Sequence, residues 1–201
     1  MRYIITESQY RLLTEETSGV DDFIGQMVEK YPEVEGYSNQ IKSFIENSGC
    51  HKIEVASFKY PAMGLALHNG VLFNKMIFYQ TLPKFLFVLF HEIAHQYQYK
   101  KYGAEKMYEF YLGDLDVNDT AESMKKIEII ADEFALRKVR EFAKIGLIDV
   151  KDSNLPAVYK TIPINHFVRL ITQSRDEIKR KGITDFDGVS ETFYNMVKVN
   201  I

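Results

Sequence analysis

His91, Glu92 and His95 have the types and spacing to do chemistry: two imidazoles four residues apart with a carboxylate beside the first, inside Leu89-Phe90-His91-Glu92-Ile93-Ala94-His95-Gln96-Tyr97. On an α-helix four residues turn through roughly 400° and climb roughly 6 Å, so the two imidazoles stand one above the other and can converge on one ion. Glu92 projects about 60° around the axis from His95. That sets it beside the ion without making it a ligand, as suits a base that takes a proton from water and passes it to a leaving amine. Ile93 and Ala94 carry no charge, so nothing between the histidines competes for the metal. The chemistry expected of such a set is zinc-assisted hydrolysis of a peptide bond. Three fixed letters arise by chance in many chains, and a histidine on an apolar face is often a hydrogen-bonded core residue. The elements around the motif must therefore decide.

A helix from about Leu82 to Tyr102 is expected. Thr81 suits the N-cap, Pro83 fits the first turn where a missing N–H costs nothing, Phe85, Leu86, Val88, Leu89, Ile93 and Tyr97 recur along the segment, and Gly103 supplies a stop. A catalytic zinc needs a third protein ligand and one open position. Downstream, Asp119 with Glu122 forms a capping-box start. Met124, Ile127, Ala131, Phe134, Ala135 and Phe142 then hold a helical stripe until Gly146. Glu128 and Asp132 share one face of that helix, and Met124, Ala131 and Ala135 neighbour Glu128 at helical spacing. Carboxylates among small apolar residues are costly unless paired or metal-bound, so Glu128 is the expected third ligand. Asp132, one turn on, can accept the free ring N–H of a liganding histidine. The competing account makes both solvated helix acids paired with Lys125 or Arg137, and Glu122 becomes the candidate ligand if the register differs.

His91-Glu92-Ile93-Ala94-His95 followed by Glu128-Ile129-Ile130-Ala131-Asp132-Glu133-Phe134-Ala135 resembles the gluzincin metallopeptidases, and is most like the small ones of the ImmA/IrrE type. The resemblance covers roughly the middle third of the chain. It implies a zincin-like α+β fold, one Zn²⁺ per chain bound by His91, His95 and Glu128, Glu92 as general base, and Asp132 behind a ligand. Ile130 stands where the ImmA/IrrE motif often has a second glutamate. Gln98 occupies the position at which metzincins carry a glycine, so that variant is excluded by spacing.

With 201 residues, 46% of them hydrophobic and 26% charged, the chain is expected to form one domain spanning 1–201. Its parts would be a helical scaffold over 1–50, a sheet over 51–80, the metal-site helices over 81–146 and C-terminal helices over 147–201. A net charge of −3 gives no general attraction to nucleic acid or anionic membrane. A peptide or protein substrate is what the resemblance to metallopeptidases implies. Cys50 is alone, so no internal disulfide can form and a reducing compartment is expected. The longest apolar run, 85–90, is far short of a membrane span, and a soluble, cytoplasmic protein is the reading.

Thr6 with Gln9 forms a capping box before Tyr10 and Leu13; Val20, Phe23, Ile24, Met27 and Val28 keep helical spacing up to Pro32, as do Tyr37, Ile41, Phe44 and Ile45 up to Gly49. Over 52–80 the period changes. Ile53 and Val55 alternate with Glu54 and Ala56, and β-rich runs at 63–68 and 71–79 flank Asn69-Gly70, a tight-hairpin signal. Three antiparallel strands are expected, in a small mixed or largely antiparallel sheet packed on the helices. The 71–79 strand is the candidate edge for main-chain pairing with an extended substrate, or else a strand paired on both sides. Asp114, Asp116 and Asn118 imitate a calcium loop, but Asp119 and Lys125 occupy its glycine and bidentate-acid positions. An acidic loop near the cleft is the simpler account. After Pro156, Pro163 opens a helix closed by Gly182, and a short terminal helix carries Phe193, Met196 and Val197. His166, from that later part, is the candidate oxyanion donor, against a surface or capping role. Two other classes remain open. Two histidines and a carboxylate can hold ferrous iron for an oxygenase, and the scaffold can serve as a non-enzymatic binding module. Metal analysis and the openness of the coordination sphere separate them.

Overall fold

A computed structural model describes residues 17–59, 62–68, 70–112, 117–149 and 164–198; side chains at 17, 18, 109–112, 117–124, 164–171, 186, 187 and 190 lie outside the description. The expectations for Thr6 to Leu13, Asn69, Asp114, Asp116, Pro156 and Pro163 fall on residues that are not described. The strands are β1 (Thr17–Ser18), β2 (Lys52–Ala56), β3 (Gly64–Leu67) and β4 (Gly70–Asn74). The helices are α1 (Val20–Lys30), α2 (Ser38–Asn47), α3 (Leu82–Tyr102), α4 (Ala104–Leu112), α5 (Val117–Lys144), α6 (Ile164–Lys181) and α7 (Phe186–Val197). The fold is mixed α+β and mostly helical. Among the described residues, no helix is long and apolar enough to cross a membrane.

The sheet order is β1-β2-β4-β3. β2 runs antiparallel to β1 but parallel to β4, and β4 runs antiparallel to β3. This corrects the expectation of three antiparallel strands. After β2 the chain crosses to the far edge, forms β3 there, and turns back to insert β4 in the middle. The reason is burial. Val71, Leu72 and Phe73 are all within 3% of complete burial, so β4 has no solvent face and belongs at the centre of the sheet, where continuous apolar runs are found. The edge strands are therefore β1 and β3, and the candidate edge at 71–79 is paired on both sides over 70–74. The second half of that segment is not a strand. Asn74 accepts from the Met76 N–H and donates to the Ala62 carbonyl, turning Lys75–Tyr79 into a 3-10 helix that leads toward α3.

Each face of the sheet carries a core. Ile53, Val55, Val71 and Phe73 join Phe23, Met27, Ile41, Ile45, Phe85, Leu86, Leu89, Phe90 and Ile93 on one side. Ala56, Leu65 and Leu72 meet Tyr99, Met107, Ile127, Ile178, Val189 and Phe193 on the other. Helix α3 contributes to both, which is why its sequence is apolar on more than one side. Gln96, 2% exposed, donates to the Leu67 and Gly70 carbonyls and so ties α3 to the end of the β3–β4 hairpin. Gly70 is required where it stands: a Cβ there would lie 2.4 Å from the Lys52 carbonyl oxygen across the parallel ladder.

Candidate metal centre

Helix α3 presents His91 and His95 from successive turns, and α5, packed along it, presents Glu128 and Asp132. The first apolar face of α3, Phe85 through Ile93, is anchored in the core, so the rotation of the helix about its axis is fixed and the two imidazoles must face α5. Among the described residues, His91, His95 and Glu128 form a group whose donor atoms lie within 4.8 Å of one another. His91 Nε2 is 3.1 Å from Glu128 Oε2, His95 Nε2 is 3.5 Å from Glu128 Oε1, and the two Nε2 atoms are 3.2 Å apart.

Each ring is also held from behind. Asp132 Oδ1 lies 2.9 Å from His91 Nδ1, and Gln98 Oε1 lies 2.8 Å from His95 Nδ1. Both partners accept, so both Nδ1 atoms carry a hydrogen and both Nε2 atoms point into the cluster. Two unprotonated Nε2 atoms 3.2 Å apart repel unless a cation or a proton lies between them. A tetrahedral ion with bonds of about 2.0–2.1 Å has ligand–ligand edges of about 3.3–3.4 Å. The Nε2–Nε2 separation of 3.2 Å is close to that value, each imidazole has a Glu128 oxygen within 3.5 Å, Oε2 for His91 and Oε1 for His95, and the donor set of two imidazoles and one carboxylate is one that zinc accepts. The residues present therefore fit a divalent cation.

Burial and charge shape the group. His95 is 4% exposed, whereas the Glu128 side chain is 29% exposed, so the cluster is closed behind His95 and open beside Glu128. For His91, burial opposes the charged form, but the carboxylates of Asp132 and Glu128 outweigh it and raise its pKa well above the usual imidazole range. His95 is raised as well, burial again being overcome by Glu128. Burial likewise disfavours the Glu128 carboxylate, yet His95 and His91 hold its pKa far below the ordinary range.

Glu92, 7% exposed, sits one residue along from His91 and outside the three converging donors. Burial pushes its pKa up, with Glu128 adding to that and the two histidines and the Ala66 N–H opposing it. Its side chain rests on β3. A Cβ at Gly64 would lie 2.5 Å from Glu92 Cγ, so this carboxylate occupies space that only a glycine leaves. The Asn74 N–H bonds to the Met63 carbonyl, and the alternation of an antiparallel ladder then turns the N–H and C=O of Gly64 and Ala66 away from β4, toward the edge where Glu92 lies.

His91, Glu92, His95, Glu128 and Asp132 are thus brought together in one place. His166 lies in α6, and Glu122 in α5, in stretches whose side chains are outside the description. Gln98 was missed by sequence reasoning. Its signal was its place three residues after His95 on the same helix, but a neutral amide on an apolar helix reads as filler. Comparison of the chain with protein-family models, with curated proteins and with solved structures returned no match.

Proposed function

We propose that this chain is a zinc-dependent metallopeptidase of the zincin-like, gluzincin type that the His91 and Glu128 motifs resemble. The observation that carries the reading is the convergence of His91, His95 and Glu128, with donor atoms within 4.8 Å of one another and the far nitrogen of each ring already engaged. A site pre-organised in this way spends little on ordering its ligands when an ion enters. When bound, zinc supplies Lewis acidity, polarising a carbonyl and lowering the pKa of water.

The remaining chemistry belongs to the chain. Glu92 stands beside the donors, buried, and with its proton affinity raised, so it is suited to take a proton from the attacking water and return it to the leaving amine. A redox centre built on the same donors would have no need of that base. The outward main-chain groups of β3 other than the Ala66 N–H, which Glu92 engages, can pair with an extended peptide and lay its scissile bond alongside Glu92. The open side at Glu128 admits the substrate.

The test is metal content and peptide hydrolysis measured together. The chain purified without chelator should hold about one zinc. Glu92→Gln should keep the metal and lose about 10²–10⁴-fold in turnover, as removal of a general base does. His95→Ala should lose both. Full hydrolysis by Glu92→Gln would overturn the assignment.

A further inference from the structure

We infer that Gln98 is a positioning residue for the metal centre: its amide, held from α5, sets which nitrogen of His95 carries the hydrogen and locks the two ligand-bearing helices together one residue before Glu128. The inference rests on the zinc reading above.

The geometry is directional. Gln98 follows His95 by three residues on α3, so its side chain lies over the same face and reaches the ring, with Oε1 2.8 Å from Nδ1. Its Nε2 donates to the Ile127 carbonyl at 3.1 Å. A carbonyl oxygen can only accept, so the nitrogen end of the amide must face Ile127 and the oxygen end must face His95. The ring nitrogen there must then donate. Turning the amide over would set its oxygen against the Ile127 carbonyl oxygen. Gln98 is 7% exposed, and water cannot replace the lost bond.

The two histidines are therefore backed differently. His91 has a carboxylate behind it, Asp132, whereas His95 has a neutral amide. A carboxylate behind a liganding imidazole ordinarily strengthens it. At position 98 it would not, because one of its oxygens would face the Ile127 carbonyl. The amide is the one common side chain that accepts at one end and donates at the other across this gap. Since Ile127 precedes Glu128, the same bond also holds the third ligand at the height of the other two.

Zinc affinity of the full chain, measured by competition with a chromophoric chelator, tests this with Gln98→Met and Gln98→Glu. Both should bind zinc about 10–100-fold more weakly than the parent, the range seen when a ligand's hydrogen-bond partner is removed. Thermal unfolding of the metal-free variants checks that they remain folded. A long-range proton–nitrogen NMR spectrum of the metal-free parent, at a pH alkaline enough to neutralise the ring, should show the His95 hydrogen on Nδ1. Unchanged affinity in Gln98→Met, equal or tighter binding in Gln98→Glu, or a His95 hydrogen on Nε2 overturns the inference. If either variant fails to fold, the tautomer in the parent decides. A parent chain that binds no zinc sinks the proposed function, and the tautomer still decides what Gln98 does.

Discussion

His91 is bonded through both ring nitrogens to carboxylates, Asp132 at Nδ1 and Glu128 at Nε2, and this makes a proton and a metal ion rivals for the same place. Because its folded pKa is raised, the stability it contributes to the metal-free chain is complete below the unfolded imidazole value of about 6.5 and is lost as pH rises through the folded one. Glu128 has the opposite sign. Its depressed pKa gives stability that is present above the ordinary carboxylate value of about 4.3 and lost as pH falls through the folded one. The metal-free cluster is therefore most stabilising between about 4.3 and 6.5. Its melting temperature is expected to fall as pH rises from about 6 to 9, by about 2–4 °C for each kcal/mol lost. Saturating zinc should abolish the decline, because deprotonated rings are what the metal binds. Thermal unfolding with and without zinc across that range checks it, and a metal-free melting temperature that climbs over the same interval contradicts the account. At this scale the charged ligands could be read from the sequence, since a carboxylate amid Ala131 and Ala135 needs a reason to be there. Gln98 could not, because an amide is cheap enough to bury that it raises no question until its two bonds are seen.

Helices α3 and α5 were legible because residues repeating every three or four positions report which side is buried, and capping and stop signals mark the ends: α3 spans Leu82–Tyr102, the expected range. The sheet was not. Hairpin chemistry at Asn69-Gly70 identifies a pair of strands but says nothing about where the pair docks, and the apolar run Val71-Leu72-Phe73 was the overlooked sign of a central strand. At 75–79 the Asn74 side chain overrode β-prone residues by capping a tight turn. Helix α4 escaped for a related reason, being nine residues that follow Gly103 directly with too few turns to show a period. The corrected edge makes β3 the element that seats Glu92, and it gives Gly64 a role. Gly64→Ala fits the extended backbone of a strand, but its methyl would displace the Glu92 side chain from the Ala66 N–H. Turnover should drop by more than about 10-fold, in keeping with a misplaced base, while zinc affinity stays near that of the parent because no ligand moves. Paired measurements of kcat/KM and zinc affinity separate this from unfolding, which would lower both, and unaltered turnover would remove Gly64 from the account.

At the scale of the whole molecule, the metal helices lie between cores that are built from opposite ends of the chain, and the C-terminal core is fastened to the sheet by a polar latch. Glu54 projects from β2 on the face opposite Ile53 and is 7% exposed. The Tyr194 hydroxyl donates to it, Lys198 Nζ lies 3.3 Å from the same oxygen and 2.6 Å from the Tyr194 hydroxyl, and Lys52 Nζ lies 3.2 Å from the other oxygen. Beside it, the Lys59 N–H bonds to the Val197 carbonyl and Phe58 pairs with Lys198. Val189, Phe193 and Val197 of α7 share the second core with Tyr99 of α3 and Ile127 of α5, the residues flanking Gln98 and Glu128. Burial alone would raise the Glu54 pKa, but the hydrogen bonds from Tyr194, Lys52 and Lys198 bring it below the ordinary carboxylate value. A depressed folded pKa means that the latch is at full strength above about 4.3 and fails as pH falls through the lowered value. Glu54→Gln should therefore cost about 2 kcal/mol at pH 7, the scale of charge-assisted bonds lost in a buried site, and the deficit should shrink toward zero below the folded pKa, where the parent carboxyl is itself neutral. Urea unfolding of both chains at neutral and acid pH measures the difference, and hydrogen exchange should show α7 and β2 opening together in the variant at pH 7. A deficit of the same size at both pH values would mean that shape rather than charge holds α7 in place.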